Sequence, residues 1–159
     1  MKINGSIFID VMGKKLHKDD IRRISHPLVQ GIILFTRNYE NKTQLRKLID
    51  DIKLVRSDLI ISVDHEGGRV QRFKKGFYNI PPMNSLDKIY IEDERLATKL
   101  AEYIGWIIAK ELGDMNIDLN FSPVLDINYG KSSVIGDRSF SANFETVVNL
   151  ASALSLIHI

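Results

Sequence analysis

Cysteine is absent from the 159 residues, which excludes a disulfide framework and thiol catalysis. A charge excess is missing too. Lys and Arg total 22 and Asp and Glu 20, and the resulting net charge of +2 makes no case for nucleic acid or a membrane surface as partner. No run approaches the roughly 18–20 apolar residues of a transmembrane helix. Met1 to Ser6 lead straight into a strand-like segment, without the longer apolar region and small-residue cleavage site of a secretory signal, so the default expectation is a cytoplasmic protein. Phosphate-loop and three-glycine dinucleotide signatures are lacking. His17, His26, His65 and His158 show no His-x-His or His-Glu-x-x-His spacing. Neighbouring side chains in Asp64-His65-Glu66 diverge on an extended segment, so no metal site and no cofactor are expected.

What is present is an ordinary globular composition, 44% hydrophobic and 26% charged, with alternating elements. Ser6 to Val11 reads as a strand ending in Asp10. Lys18 to Ser25 reads as a helix with Ile21 and Ile24 on one face, stopped by His26-Pro27. Gly31 to Phe35 is a second strand and Thr36 to Lys42 a polar loop. Thr43 reads as the N-cap of a helix carrying Leu45, Leu48, Ile49 and Ile52 at helical spacing. Leu59 to Val63 is a third strand, followed by a long loop from Asp64 to Ile91. An amphipathic helix runs from Glu94 to Leu112 through Leu96, Leu100, Ile104, Ile107 and Ile108; Gly113 ends it, and Trp106 is expected in the core. Ile117 to Phe121 is a fourth strand and Ser122 to Phe140 a second long loop. Asn143 caps a last helix from about Phe144.

Strand and helix alternating at about 30-residue spacing imply a parallel sheet with crossover helices, hence the α/β class. Both long loops leave the C-terminal side of a strand, as in a (β/α) barrel. Such a barrel closes with eight units and about 250 residues. Four units are present, and the segment from Val147 to Ile159 stops mid-pattern. The expectation is an incomplete domain over residues 1–159, the N-terminal part of a longer protein.

The densest chemistry lies in Asp64-His-Glu-Gly-Gly-Arg-Val-Gln-Arg-Phe73, directly after the third strand. Ligands bind at the C-terminal ends of parallel strands. Two glycines allow a positive φ or a close approach, Asp64 offers an acceptor pair, and Arg69 and Arg72 offer planar donor forks. The set suits a small polyhydroxylated or anionic molecule, although Asp followed by Gly-Gly can also be plain turn chemistry. Asp10, Arg37 and Asn38 also sit at strand exits, where structural roles are favoured. Asp126 is expected to shape its loop, and Lys14-Lys15 and Lys74-Lys75 to be solvated pairs.

Five ordered segments carry a more specific signal: Gly31-Ile-Ile-Leu-Phe-Thr-Arg-Asn-Tyr39, Val63-Asp-His-Glu-Gly-Gly-Arg-Val-Gln-Arg-Phe73, Ile80-Pro-Pro82, Asp118-Leu-Asn-Phe-Ser-Pro-Val-Leu-Asp126 and Ile135-Gly-Asp-Arg-Ser-Phe140. In order and spacing the chain resembles the cytoplasmic β-N-acetylglucosaminidases of glycoside hydrolase family 3, the bacterial peptidoglycan-recycling enzymes. The resemblance implies the N-terminal half of a TIM (β/α)8 barrel. It also implies removal of terminal non-reducing N-acetylglucosamine from muropeptides with retention of configuration, by a protein that is a monomer at full length.

By the same resemblance the nucleophile is an Asp late in the barrel and the acid/base a His in a Lys-His-Phe-Pro-Gly-His-Gly type motif. Neither motif occurs in these residues, and His158 lacks that context, so no catalytic residue is expected here. Carried over, Asp64 holds sugar hydroxyls, and Arg72 and Arg138 contact the sugar and its neighbours. The three are expected to meet in one pocket. His65 departs from the family, which often has Gln there. The alternative is a non-catalytic carbohydrate-binding half-barrel.

Overall fold

A computed structural model describes residues 5–155, so His158 and the end of the C-terminal tail lie outside the described residues. The chain forms two compact units. The first holds the chain through Asp64 with Arg72–Phe77 and Leu112–Asn120; the second holds His65–Gln71, Tyr78–Glu111 and the chain from Phe121 onward.

The first unit is built on a four-stranded parallel sheet. Its strands are β1 (Ile7–Ile9), β2 (Val29–Leu34), β3 (Ile60–Val63) and, late in the chain, Leu119–Asn120, in that spatial order. Register is set by pairs such as Ile9 with Ile32, Ile32 with Ile61 and Val63 with Asn120. Between the first three strands run helices α1 (Lys18–Ile24) and α2 (Lys42–Val55). Helix α2 buries Leu45, Leu48, Ile49 and Ile52, the face its spacing implies. Its cap is Asn41, whose side chain accepts from the Gln44 amide, so the N-cap lies two residues before the expected Thr43. In α1 Ile24 is fully buried, whereas Ile21 is largely exposed.

Asp118 ties the late strand into this sheet. Its carboxylate accepts from the Ile61 amide at 2.8 Å and from Lys53 Nζ at 3.0 Å, and its own amide donates to the Ile61 carbonyl. This acid of the fourth motif serves the sheet. Asp10 accepts from Arg37, and Asn38, fully buried, donates to the Val11 and Gly13 carbonyls while its Oδ1 accepts from the Phe35 amide. These strand-exit residues bind the β1 and β2 exits to each other, the structural role favoured for them.

The second unit holds elements absent from the sequence reading. Within the expected loop from Asp64 to Ile91 lie a hairpin of β4 (His65–Gly67) and β5 (Val70–Gln71) and a helix α3 (Ser85–Glu92). The long helix α4 (Glu94–Gly113) matches its expected span, and the Leu119–Asn120 strand becomes β6. Helix α4 buries Ala97, Ala101, Ile104, Ile108 and Leu112. Trp106 is 55% exposed, correcting its expected core position: two residues beyond Ile104 is about 200° around the helix. Leu96 likewise lies outside the buried stripe. Helix α5 (Phe144–Ser155) begins as expected at Asn143, whose Oδ1 accepts from the Thr146 amide. It packs tightly on α4, where a Cβ on Gly105 would come within 2.2 Å of the Leu154 carbonyl.

Candidate functional site

Asp64 is the first residue past β3 and belongs to the first unit, as does Arg72. Arg72 Nη2 donates to Asp64 Oδ2 at 2.8 Å, and both side chains are about three-quarters buried, at 27% and 24% exposure. The guanidinium also lies 5.6 Å from the Phe35 ring centroid. Its placement follows from the next residue: Phe73 is fully buried and packs on Tyr39 and Phe77 at centroid separations of 4.9 and 5.5 Å. Arg72 Nε is buried and meets no hydrogen-bond acceptor among the described residues. A buried guanidinium N–H without an acceptor is costly.

Arg138 closes a short 3-10 turn, Gly136–Arg138, in the second unit. Its Nε and Nη2 donate to Glu66 Oε2 and Oε1 at 2.8 and 2.7 Å, a two-pronged ion pair, while Nη1 donates to the Val134 carbonyl at 3.2 Å. Glu66 is nearly fully buried, with a side chain 5% exposed. The sequence reading did not single it out. The signal available was a carboxylate two residues from Asp64 and immediately before Gly67-Gly68.

The hairpin that carries Glu66 is fixed by those glycines. Gly67 and Gly68 have φ of +100° and +52°, and a Cβ on Gly67 would meet the Pro81 carbonyl at 2.6 Å and Ile80 Cγ2 at 2.7 Å. The Gly68 amide donates to the Ile80 carbonyl, and the Gln71 side chain bridges the Tyr78 carbonyl and the Ile80 amide. The Ile80-Pro81-Pro82 segment is therefore the bed on which the hairpin lies. Arg69 is occupied as well: it pairs with Asp137 at 3.2 Å and donates to the Ser133 and Val134 carbonyls. His65 is buried, and burial pushes its pKa down to about 4, against the opposing pull of the Glu111 carboxylate. The imidazole is neutral at physiological pH.

Of the three sequence-derived residues, Asp64 and Arg72 pair with each other within the first unit, and Arg138 pairs with Glu66 within the second. Asp126 is exposed and its carbonyl accepts from Ser139 Oγ, a contact that shapes its loop. Lys14 pairs with Glu40 at 3.0 Å and is not simply solvated. Among the described residues no group of three or more His, Cys, Asp or Glu could hold a metal ion.

Residues 3–155 match the glycosyl hydrolase family 3 N terminal domain. The chain belongs to glycosyl hydrolase family 3. It is 54% identical over 151 residues to a beta-hexosaminidase of Methylobacillus flagellatus, covering 94% of this chain and 43% of that protein. It is 48% identical over 153 residues to a beta-hexosaminidase of Thiobacillus denitrificans, covering 96% and 43%. The chain thus spans under half the length of these curated relatives. Among solved structures it is similar to NagZ from Neisseria gonorrhoeae in complex with N-trifluoroacetyl-D-glucosamine, with 43% identity and a TM-score of 0.94 over 98% of this chain and 46% of that one. A family 3 beta-N-acetylglucosaminidase from a Paenibacillus species matches with 28% identity and a TM-score of 0.85, covering 99% and 30%. The α/β chain with its four parallel strands is the N-terminal half of this family's (β/α)8 barrel fold.

Proposed function

We propose that this chain is the sugar-binding N-terminal part of a family 3 β-hexosaminidase that removes terminal non-reducing N-acetylglucosamine from muropeptides during peptidoglycan recycling in the cytoplasm. The observation that carries the reading is 54% identity to a beta-hexosaminidase across nearly the whole chain. The N-acetylglucosamine analogue in the Neisseria gonorrhoeae NagZ structure supports the substrate class. In this reading Asp64 accepts hydrogen bonds from sugar hydroxyls, which a carboxylate does without needing a proton of its own. Arg72 keeps Asp64 in place and offers its buried Nε–H to a sugar oxygen. Arg138 donates to the sugar and its neighbours.

A retaining glycosidase needs a carboxylate nucleophile beside an acid/base group. The residues of this chain supply binding and orientation, and the two reacting groups come from sequence beyond it. Incubating the full-length protein with N-acetylglucosaminyl-anhydromuropeptides and following products by mass spectrometry tests the reading. Release of free N-acetylglucosamine and the matching anhydromuramyl peptide is expected. An unchanged muropeptide under conditions where a simple aryl N-acetylglucosaminide is cleaved would restrict the substrate to other hexosaminides.

A further inference from the structure

Glu66 is a nearly buried carboxylate, its side chain 5% exposed. Both its oxygens are engaged by one guanidinium, that of Arg138, in parallel bonds of 2.7 and 2.8 Å. The pair has little freedom, because separating it would leave the nearly buried Glu66 carboxylate without its partner. The carboxylate's own position is set by backbone. It is the middle residue of β4, followed at once by Gly67 and Gly68, which lie against Ile80, Pro81 and Pro82 with no room for a side chain.

The same hairpin grips the segment that presents Arg138 by a second, independent contact. Arg69, in the hairpin turn, binds the carbonyls of Ser133 and Val134 and the carboxylate of Asp137. Arg138 itself returns to the Val134 carbonyl. The segment from Ser133 to Arg138 has little regular structure beyond one 3-10 turn, so the arginine contacts add to its few backbone hydrogen bonds in setting its shape.

We propose that Glu66 is a positioning residue: it fixes the plane of the Arg138 guanidinium so that its outer face is held ready for the sugar, while Arg69 fixes the backbone behind it. This rests on the assignment of Arg138 as a sugar contact. A planar fork is directional, and its value to a bound sugar depends on holding that plane before the substrate arrives. Glu66 touches no reacting atom in this scheme and acts only through Arg138.

The test uses the full-length protein and the variants Glu66→Gln, Arg138→Ala and the double variant. The amide of Glu66→Gln keeps the shape and one acceptor but loses the charge and the second bond. Two readouts are taken. The first is the Arg138 Nε–H signal in nitrogen-15 NMR, expected to be slow to exchange in the wild type and fast in Glu66→Gln. The second is kcat/KM on an aryl N-acetylglucosaminide, measured at a temperature where circular dichroism shows the variant folded, and expected to fall about tenfold or more in Glu66→Gln, as befits a lost charge-assisted pair. In the Arg138→Ala background, Glu66→Gln should cost less than about threefold, because its effect runs through the missing arginine. Slow exchange persisting in Glu66→Gln, or an equal kinetic loss in both backgrounds, would overturn the proposal. A wild type that cleaves no N-acetylglucosaminide would instead refute the functional reading, and the exchange measurement would still decide whether Glu66 fixes Arg138.

Discussion

At the scale of single residues, the Asp64–Arg72 pair divides its work clearly. Arg72 holds the carboxylate, and in the proposed reading the carboxylate accepts from sugar hydroxyls. Replacing Asp64 by Ala in the full-length protein is expected to cost about 2–4 kcal/mol of transition-state binding, the scale of a lost charged hydrogen-bond partner. The loss should appear in kcat/KM with the far-ultraviolet circular dichroism unchanged; wild-type kinetics would remove Asp64 from the site. His65 gives a pH signature. Its folded pKa of about 4 lies below the ordinary 6.5 of an unfolded histidine. Between those values the unfolded chain holds a proton that the folded chain does not, so stability falls as pH drops from about 6.5 to about 4 and levels off below. The full loss is on the order of 3 kcal/mol. Replacing His65 by Gln should remove that part of the acid limb in denaturant unfolding measured at pH 7, 5.5 and 4; an unaltered limb would show that other groups produce it. The closeness of Asp64 and Arg72 was legible in the sequence because they share one motif. Glu66 was not, because its partner lies 72 residues away and only the fold joins them.

At the scale of elements, the long amphipathic pieces could be read directly and the short ones could not. Helix α2 declares its buried face through four aliphatic residues, and α5 declares its start through Asn143. The β4–β5 hairpin has strands of three and two residues, too short for a period-2 pattern to register, and its turn depends on contacts with Ile80, Pro81 and Pro82 as well as on its two glycines. Helix α3, eight residues long, was likewise absorbed into the expected loop. The misplaced cap of α2 arose because Asn41 and Thr43 are both competent caps, and the choice is made by which side chain reaches the amide three residues on. Two substitutions probe these elements. Asn41→Ala should destabilise by about 1 kcal/mol with no effect on substrate binding. Gly67→Ala should destabilise by about 1–3 kcal/mol, since it combines a positive φ with a clash against Pro81 and Ile80, and it should also weaken sugar binding by shifting Glu66. Equal stability of Gly67→Ala and wild type in urea unfolding would show that the hairpin tolerates a side chain there.

At the scale of the whole molecule, the parallel sheet of the first unit is open among the described residues, with β1 and β6 as its outer strands. Ile7 on one side and Leu119 on the other remain 46% and 39% exposed. Eight strands close a barrel and remove such edges, whereas four leave two. The 159-residue chain on its own is therefore expected to bind apolar dyes or to self-associate through the open sheet; a monomer with a sharp cooperative thermal transition would show it to be self-sufficient. Parallel topology and the placing of long loops at strand exits followed from the alternation of elements in the sequence. The most direct test of the central claim, a binding half whose reacting groups come from elsewhere, is turnover of an aryl N-acetylglucosaminide by the purified 159-residue chain and by the full-length protein side by side. The account predicts hydrolysis by the full-length protein and none above the blank by the 159-residue chain. Turnover by the 159-residue chain alone, or none by the full-length protein, would contradict it.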